Sequence, residues 1–120
     1  MMNENVLLDK SYAFALIIVK IGYSLIERKE FILSKQLIRS GTSICANAEE
    51  AVGALTTKEF HNRMSISYRE ARECKYWLRL LRDTNWIDDS NAHPILEEIE
   101  ELLKILGSIL KTLRTKRNST

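Results

Sequence analysis

The chain has 120 residues, of which 45% are hydrophobic and 28% charged, with a formal net charge of +2. That is one domain, large enough to bury a core without disulfides or metal ions, and so small a net charge does not by itself announce a nucleic-acid binder. Two cysteines make no disulfide framework and fit a reducing cytoplasm, while the apolar stretch 12–19 is too short to span a bilayer, so neither export nor membrane insertion is expected.

Four glycines and one proline leave few turns, so a few long elements are expected. The first predicted helix covers about 5–28. It is apolar over much of its circumference from Tyr12 to Ile26, a width that suits burial on two sides, the second against another subunit. The second covers 31–52, with Leu37, Gly41, Ile44, Ala48 and Ala51 at steps of 4, 3, 4, 3, the spacing of one helical face. The small residues in that stripe permit a close neighbour. Gly53 is its candidate C-cap, and Thr56 with Glu59 forms a Thr-x-x-Glu capping box for the next helix.

That third helix covers 57–83, its apolar face running through Phe60, Met64, Ser67, Ala71, Cys74, Leu78 and Leu81. The polar stretch 85–91 then turns the chain, and Trp86 is expected to plug the end of the bundle. The fourth helix covers 90–115, with Pro94 tolerable only in a first turn. Its apolar stripe is Leu96, Ile99, Leu103, Leu106, Leu110 and Leu113. Glu97–Glu101 near its start and Lys111–Arg117 near its end suit the helix dipole, and 118–120 form a frayed tail. Short connections make sequential helices antiparallel neighbours. The fold expected is all-α, an antiparallel up-and-down four-helix bundle in one domain, 1–120.

Charge is unevenly spread. Residues 1–57 sum to zero and 58–82 to +4; 83–101 hold seven acids and no Lys or Arg; 104–117 hold five bases and no acid. Tyr68, Arg72, Lys75, Arg79 and Arg82 recur at steps of 4, 3, 4, 3 along one outward face of the third helix. Arg69 flanks them, and Lys111, Arg114, Lys116 and Arg117 add a basic end to the fourth helix. A basic stripe with a stacking-capable tyrosine has the chemistry that phosphate backbones require. The competing expectation is a solvated face neutralised by acids of the fourth helix: a hairpin centred near Ile87 sets Glu97, Glu98 and Glu101 within reach of Lys75 and Arg79.

A second constellation is polar. Gln36, Ser40, Ser43, Asn47 and Glu50 lie beside the apolar stripe of the second helix, and Glu70, Glu73 and Trp77 share a face of the third. A hairpin centred near Leu55 sets residue i level with about 110 − i, which brings Arg39 to Glu70 or Glu73 and Asn47 to Arg63. Two carboxylates could serve acid–base chemistry, but no nucleophile, histidine pair or glycine loop accompanies them. The expectation is therefore a structural network that fixes helix register, with no catalytic residue and no cofactor. His61 and His93 lack ligand spacing, so no metal site is expected. Cys45 and Cys74 read as core residues too far apart to pair.

The run Arg39-Ser40-Gly41-Thr42-Ser43-Ile44-Cys45-Ala46-Asn47-Ala48-Glu49-Glu50-Ala51 resembles the second-helix signature of the 23S rRNA intervening-sequence protein family. Tyr68-Arg69-Glu70-Ala71-Arg72-Glu73-Cys74-Lys75-Tyr76-Trp77-Leu78 is similar to its third-helix signature. Residues 11–14 and 104–109 match its ends, so the resemblance covers nearly the whole chain. Cys45 and Glu49 depart from the pattern, Cys45 standing where a smaller residue is commoner. The resemblance implies four helices and assembly into a homo-oligomeric ring, typically a pentamer, and the accessory protein of diversity-generating retroelements resembles this chain in fold. Two functional expectations follow: a ring that binds RNA, another nucleic acid or a nucleoprotein, and a structural or protein-binding oligomer without nucleic-acid affinity. No small-molecule substrate and no membrane partner are expected.

Overall fold

A computed structural model describes the backbone of residues 2–119 and the side chains of residues 4–115. Four helices follow in order, α1 Met2–Glu27, α2 Leu33–Val52, α3 Thr57–Asp83 and α4 Asp89–Ser119. The helices pack as α1–α2, α2–α3, α3–α4 and α4–α1, with no close backbone approach across the diagonals among the described residues. Extents of 52 × 22 × 20 Å are one helix long and two helix diameters wide. The architecture is the expected all-α up-and-down bundle. The α2–α3 hairpin keeps its expected register: Ser67 Oγ donates to the Ile44 carbonyl at 2.7 Å, and Arg63 donates to Asn47 Oδ1 at 3.3 Å.

The core stripe of α2 is buried at every expected position, and that of α3 at all but Phe60, which is half-buried. In α4 the stripe is turned by one residue. Ala92, Ile95, Ile99, Leu102, Leu106 and Ile109 are buried, while Leu96, Leu103, Leu110 and Leu113 pack at its margin. Two adjacent apolar seams run down this helix, and only its contacts with α1 and α3 decide which points inward. The α1–α2 seam is close at its glycines. A Cβ built on Gly41 would stand 2.6 Å from Ile18 Cγ2, and one on Gly22 would collide with Ile38.

The ends of the helices rest on local chemistry that differs in part from expectation. The α1 C-terminus closes in a Schellman motif: Lys29 N–H bonds to Ile26 O and Glu30 N–H to Leu25 O, both at 2.9 Å. Lys29 therefore sits at φ 68°, left-handed backbone that costs an L-residue about 1–2 kcal/mol. Lys29→Gly is expected to raise stability by about 1 kcal/mol, the relief exceeding the added chain entropy, and thermal unfolding should show a Tm about 4 °C higher. Glu30, nearly buried, then caps α2: its Oε1 accepts from Ser34 N–H at 2.7 Å, and Ser34 Oγ donates back to the Glu30 carbonyl.

Helix α2 ends at Gly53, but at φ −84°, a conformation open to any residue. Thr56 Oγ1 accepts from Glu59 N–H at 3.1 Å as the capping box requires, whereas Glu59 Oε2 reaches Leu55 N–H and not that of Thr56. α3 ends in a second Schellman motif on Asn85, φ 68°, whose side chain tolerates that region. α4 opens with Asp88 Oδ1 accepting from Asn91 N–H at 2.8 Å. Pro94, the sixth residue of the helix, thus falls in the second turn and not in the first turn expected; the carbonyl it leaves without a helical donor belongs to Ser90, which is exposed. Asp88 and Asp89 are the acids that meet the α4 dipole, because Glu97–Glu101 lie beyond its first turns. α4 also runs on to Ser119, past the expected end at 115, since no glycine or proline follows Leu113 at that end. Thr120 lies outside the described residues.

Candidate nucleic-acid interface

Helix α3 aligns the basic stripe against α4. Tyr68, Arg72, Lys75, Tyr76 and Arg79 line one wall of a cleft of about 680 Å³, and Glu100, Leu103 and Lys104 line the other. The Tyr68 ring lies over Gly107 of α4, 3.9 Å from where a Cβ would stand, and packs against the core. Lys75 pairs with Glu100. Arg72, Arg79 and Lys104 are exposed and form no ion pair among the described residues. Their positive field is therefore only partly cancelled.

The expected neutralisation is corrected in detail. Glu100, not Glu97, Glu98 or Glu101, meets the stripe. Glu101 turns to Lys10 of α1 at 2.8 Å and Glu97 to His93 at 2.5 Å. One residue of rotation moves an acid 100° around a helix, enough to change its neighbour. Arg82 leaves the stripe in function if not in position: its Nε donates to Asp83 Oδ1 at 2.8 Å, an interaction that raises the Arg82 pKa and lowers that of Asp83. Arg69 is exposed on the flank. Lys111 and Arg114 are exposed further along α4, level with the first turns of α3. The side chains of Lys116 and Arg117 lie outside the described residues.

The polar constellation divides. Arg39 reaches Glu70 at 2.9 Å and also pairs with Glu73. Gln36 Oε1 accepts from Arg39 Nε at 3.2 Å, and Glu73 Oε2 accepts from Trp77 Nε1–H at 3.0 Å. Trp77 in turn meets the Tyr76 ring edge-on, with centroids 5.0 Å apart. A continuous brace thus runs from α2 through Arg39, Glu73 and Trp77 to Tyr76. Ser40 and Ser43 stay outside it, donating to carbonyls of their own helix. Asn47 joins α2 to α3 through Arg63. Glu50 is exposed and enters no hydrogen bond or ion pair among the described residues. Tyr76 and Lys104 were not among the expected site residues. The signal available for Tyr76 was its place beside Arg72 on the helical wheel, and for Lys104 its position across from α3.

Both cysteines are buried and free. Burial pushes the Cys74 thiol up to about 12, and it also raises that of Cys45, which favours the protonated thiol that packs in a core. At the far end Arg28 lies over the Trp86 ring, 5.0 Å from its centroid, and donates to the Trp86 carbonyl at 2.6 Å. Trp86 packs against the core as the expected plug. No helix among the described residues is long and apolar enough to cross a membrane.

Comparison with known proteins agrees with this architecture. No curated protein matches the chain significantly. Among solved structures, a protein of unknown function from the S23 ribosomal protein family of Bacteroides thetaiotaomicron is similar at 44% identity and a TM-score of 0.88, the match covering 91% of this chain and 98% of that one. The family profile described as 23S rRNA-intervening sequence protein matches residues 3–108. With most of its length matched, and with both signature helices lying in the hairpin that forms the polar brace, the chain belongs to the 23S rRNA-intervening sequence protein family.

Proposed function

We propose that this protein is a non-enzymatic, homo-oligomeric bundle of the cytoplasm that binds RNA or another nucleic acid through the α3–α4 cleft. The observation behind this reading is Arg72 and Arg79, one above the other on α3 and free of ion pairs among the described residues, facing Lys104 across a groove rimmed by two tyrosines. Cations spaced along one wall suit successive phosphates. The engagement of Glu70 and Glu73 by Arg39 and Trp77 favours a structural role for those carboxylates over acid–base chemistry.

Assembly has separate support. Tyr12, Leu16, Val19, Tyr23 and Ile26 recur at steps of 4, 3, 4, 3 on the outer side of α1. Tyr12 is 58% and Tyr23 61% exposed, unusual for large side chains on one continuous stripe and suited to a subunit contact. A ring, of five copies as the family resemblance implies, would repeat the cleft and multiply a weak site by avidity. Titrating a labelled RNA across salt, with mass measured on the same sample, tests both halves. The expected result is a defined oligomer whose log affinity falls with log salt by about 0.7 per phosphate engaged. A monomer at micromolar concentration would sink the ring. An oligomer with no RNA affinity at low salt would leave a protein-binding assembly.

A further inference from the structure

We propose that the α3–α4 cleft selects single-stranded nucleic acid with unpaired bases, and that Tyr76 is the surface on which a base stacks. This rests on the reading of the cleft as a nucleic-acid site and adds which form of nucleic acid it takes. Tyr76 is 51% exposed although it stands beside the apolar Trp77, and it lines the groove. The ring is not loose. Its edge-on contact with Trp77 is backed by the Trp77–Glu73 hydrogen bond, and Glu73 is held from α2 by Arg39. A platform already fixed loses little freedom when a base settles on it.

Tyr68 lies eight residues earlier, about 12 Å along the helix, with Arg72 and Lys75 between the two rings and Arg79 just beyond. Cations alternating with aromatic faces follow a strand whose phosphates and bases are both accessible. In a duplex the bases are stacked on one another and paired, so a tyrosine in the wall of the cleft gains nothing from them; arginines alone would suffice. The brace gives the Arg39–Glu73–Trp77 network a role at the cleft as well as in helix register, with these three as positioning residues.

The test is fluorescence anisotropy with a labelled single-stranded RNA of mixed sequence, its DNA counterpart, and each strand annealed to its complement, at fixed low salt. The intact protein is expected to prefer the single strands. Tyr76→Ala should weaken single-strand binding about tenfold and leave the salt slope unchanged, because no cation is removed; Tyr76→Phe should retain most of the affinity. Equal binding of strand and duplex, with Tyr76→Ala neutral, would overturn this proposal while leaving the cleft as an electrostatic site. No binding of any probe at low salt would overturn the underlying reading as well.

Discussion

A double variant, Arg72→Glu with Arg79→Glu, is expected to lose nucleic-acid affinity by about a hundredfold or more at low salt. Two unpaired cations vanish from the wall of the cleft, and two anions replace them beside Lys75 and Glu100. Neutral replacements separate the two parts of that loss. Arg72→Gln with Arg79→Gln should flatten the salt slope by about 1.4, at ~0.7 for each single-strand phosphate given up. Two further variants make the prediction specific to this groove. Arg82→Glu, on the same helical stripe, should have a much smaller effect, because Arg82 is already forked onto Asp83. Glu100→Gln should strengthen binding by roughly three- to fivefold, since it removes the acid that holds Lys75 and leaves that ammonium for phosphate. Binding assays on the four variants, with circular dichroism as a check on fold, decide the matter. If Arg82→Glu were as damaging as the double variant, the contact surface would be the whole helical face and not the cleft.

That contrast shows where sequence reasoning reaches and where it stops. The α2–α3 hairpin was legible because its loop is short: once Leu55 is placed at the turn, the pairing of Arg39 with Glu70 and of Asn47 with Arg63 follows from arithmetic. The stripes of α2 and α3 were legible because small or polar residues border them, so only one face is apolar. α4 lacks that border. Leu96, Leu103 and Leu110 stand one residue after Ile95, Leu102 and Ile109, and rotation of the helix decides between seams of equal hydrophobicity. The same rotation decides whether Glu100 or Glu101 meets Lys75. The Lys29 turn and the Glu30 cap were hidden for another reason: neither residue type signals its role locally, and each takes it from the angle at which α1 and α2 meet. The exposure of Tyr76 likewise depends on Trp77 taking the inner position next to Glu73.

The α1–α2 angle rests in turn on Gly41, and Gly41→Val is expected to lower stability by about 3 kcal/mol, the upper part of the usual range for overpacking. A Cβ there would lie 2.6 Å from Ile18 Cγ2, 3.0 Å from Cγ1 and 3.1 Å from Cβ. The last of these is joined directly to the α1 backbone, so rotating the Ile18 side chain cannot clear the clash and the helices must part. Two valine methyls would add to the displacement. Better helix propensity than glycine returns only about half a kcal/mol, so the sign is set by packing. Gly41→Ala should cost less, about 1–2 kcal/mol, with overpacking again exceeding a propensity gain of about 1 kcal/mol. Gly22→Ala provides the control. Its obstructing atoms are Cγ1 and Cδ1 of Ile38, a half-buried side chain whose Cβ stands off at 3.8 Å, so a change of the Ile38 rotamer can relieve the clash and its effect should be smaller than that of Gly41→Ala. Urea unfolding of these variants measures all three. Ile18→Ala combined with Gly41→Val should cost less than the sum of the two single changes, because removing the Ile18 branch opens the space that valine needs; full additivity would mean that the seam is not held by this contact.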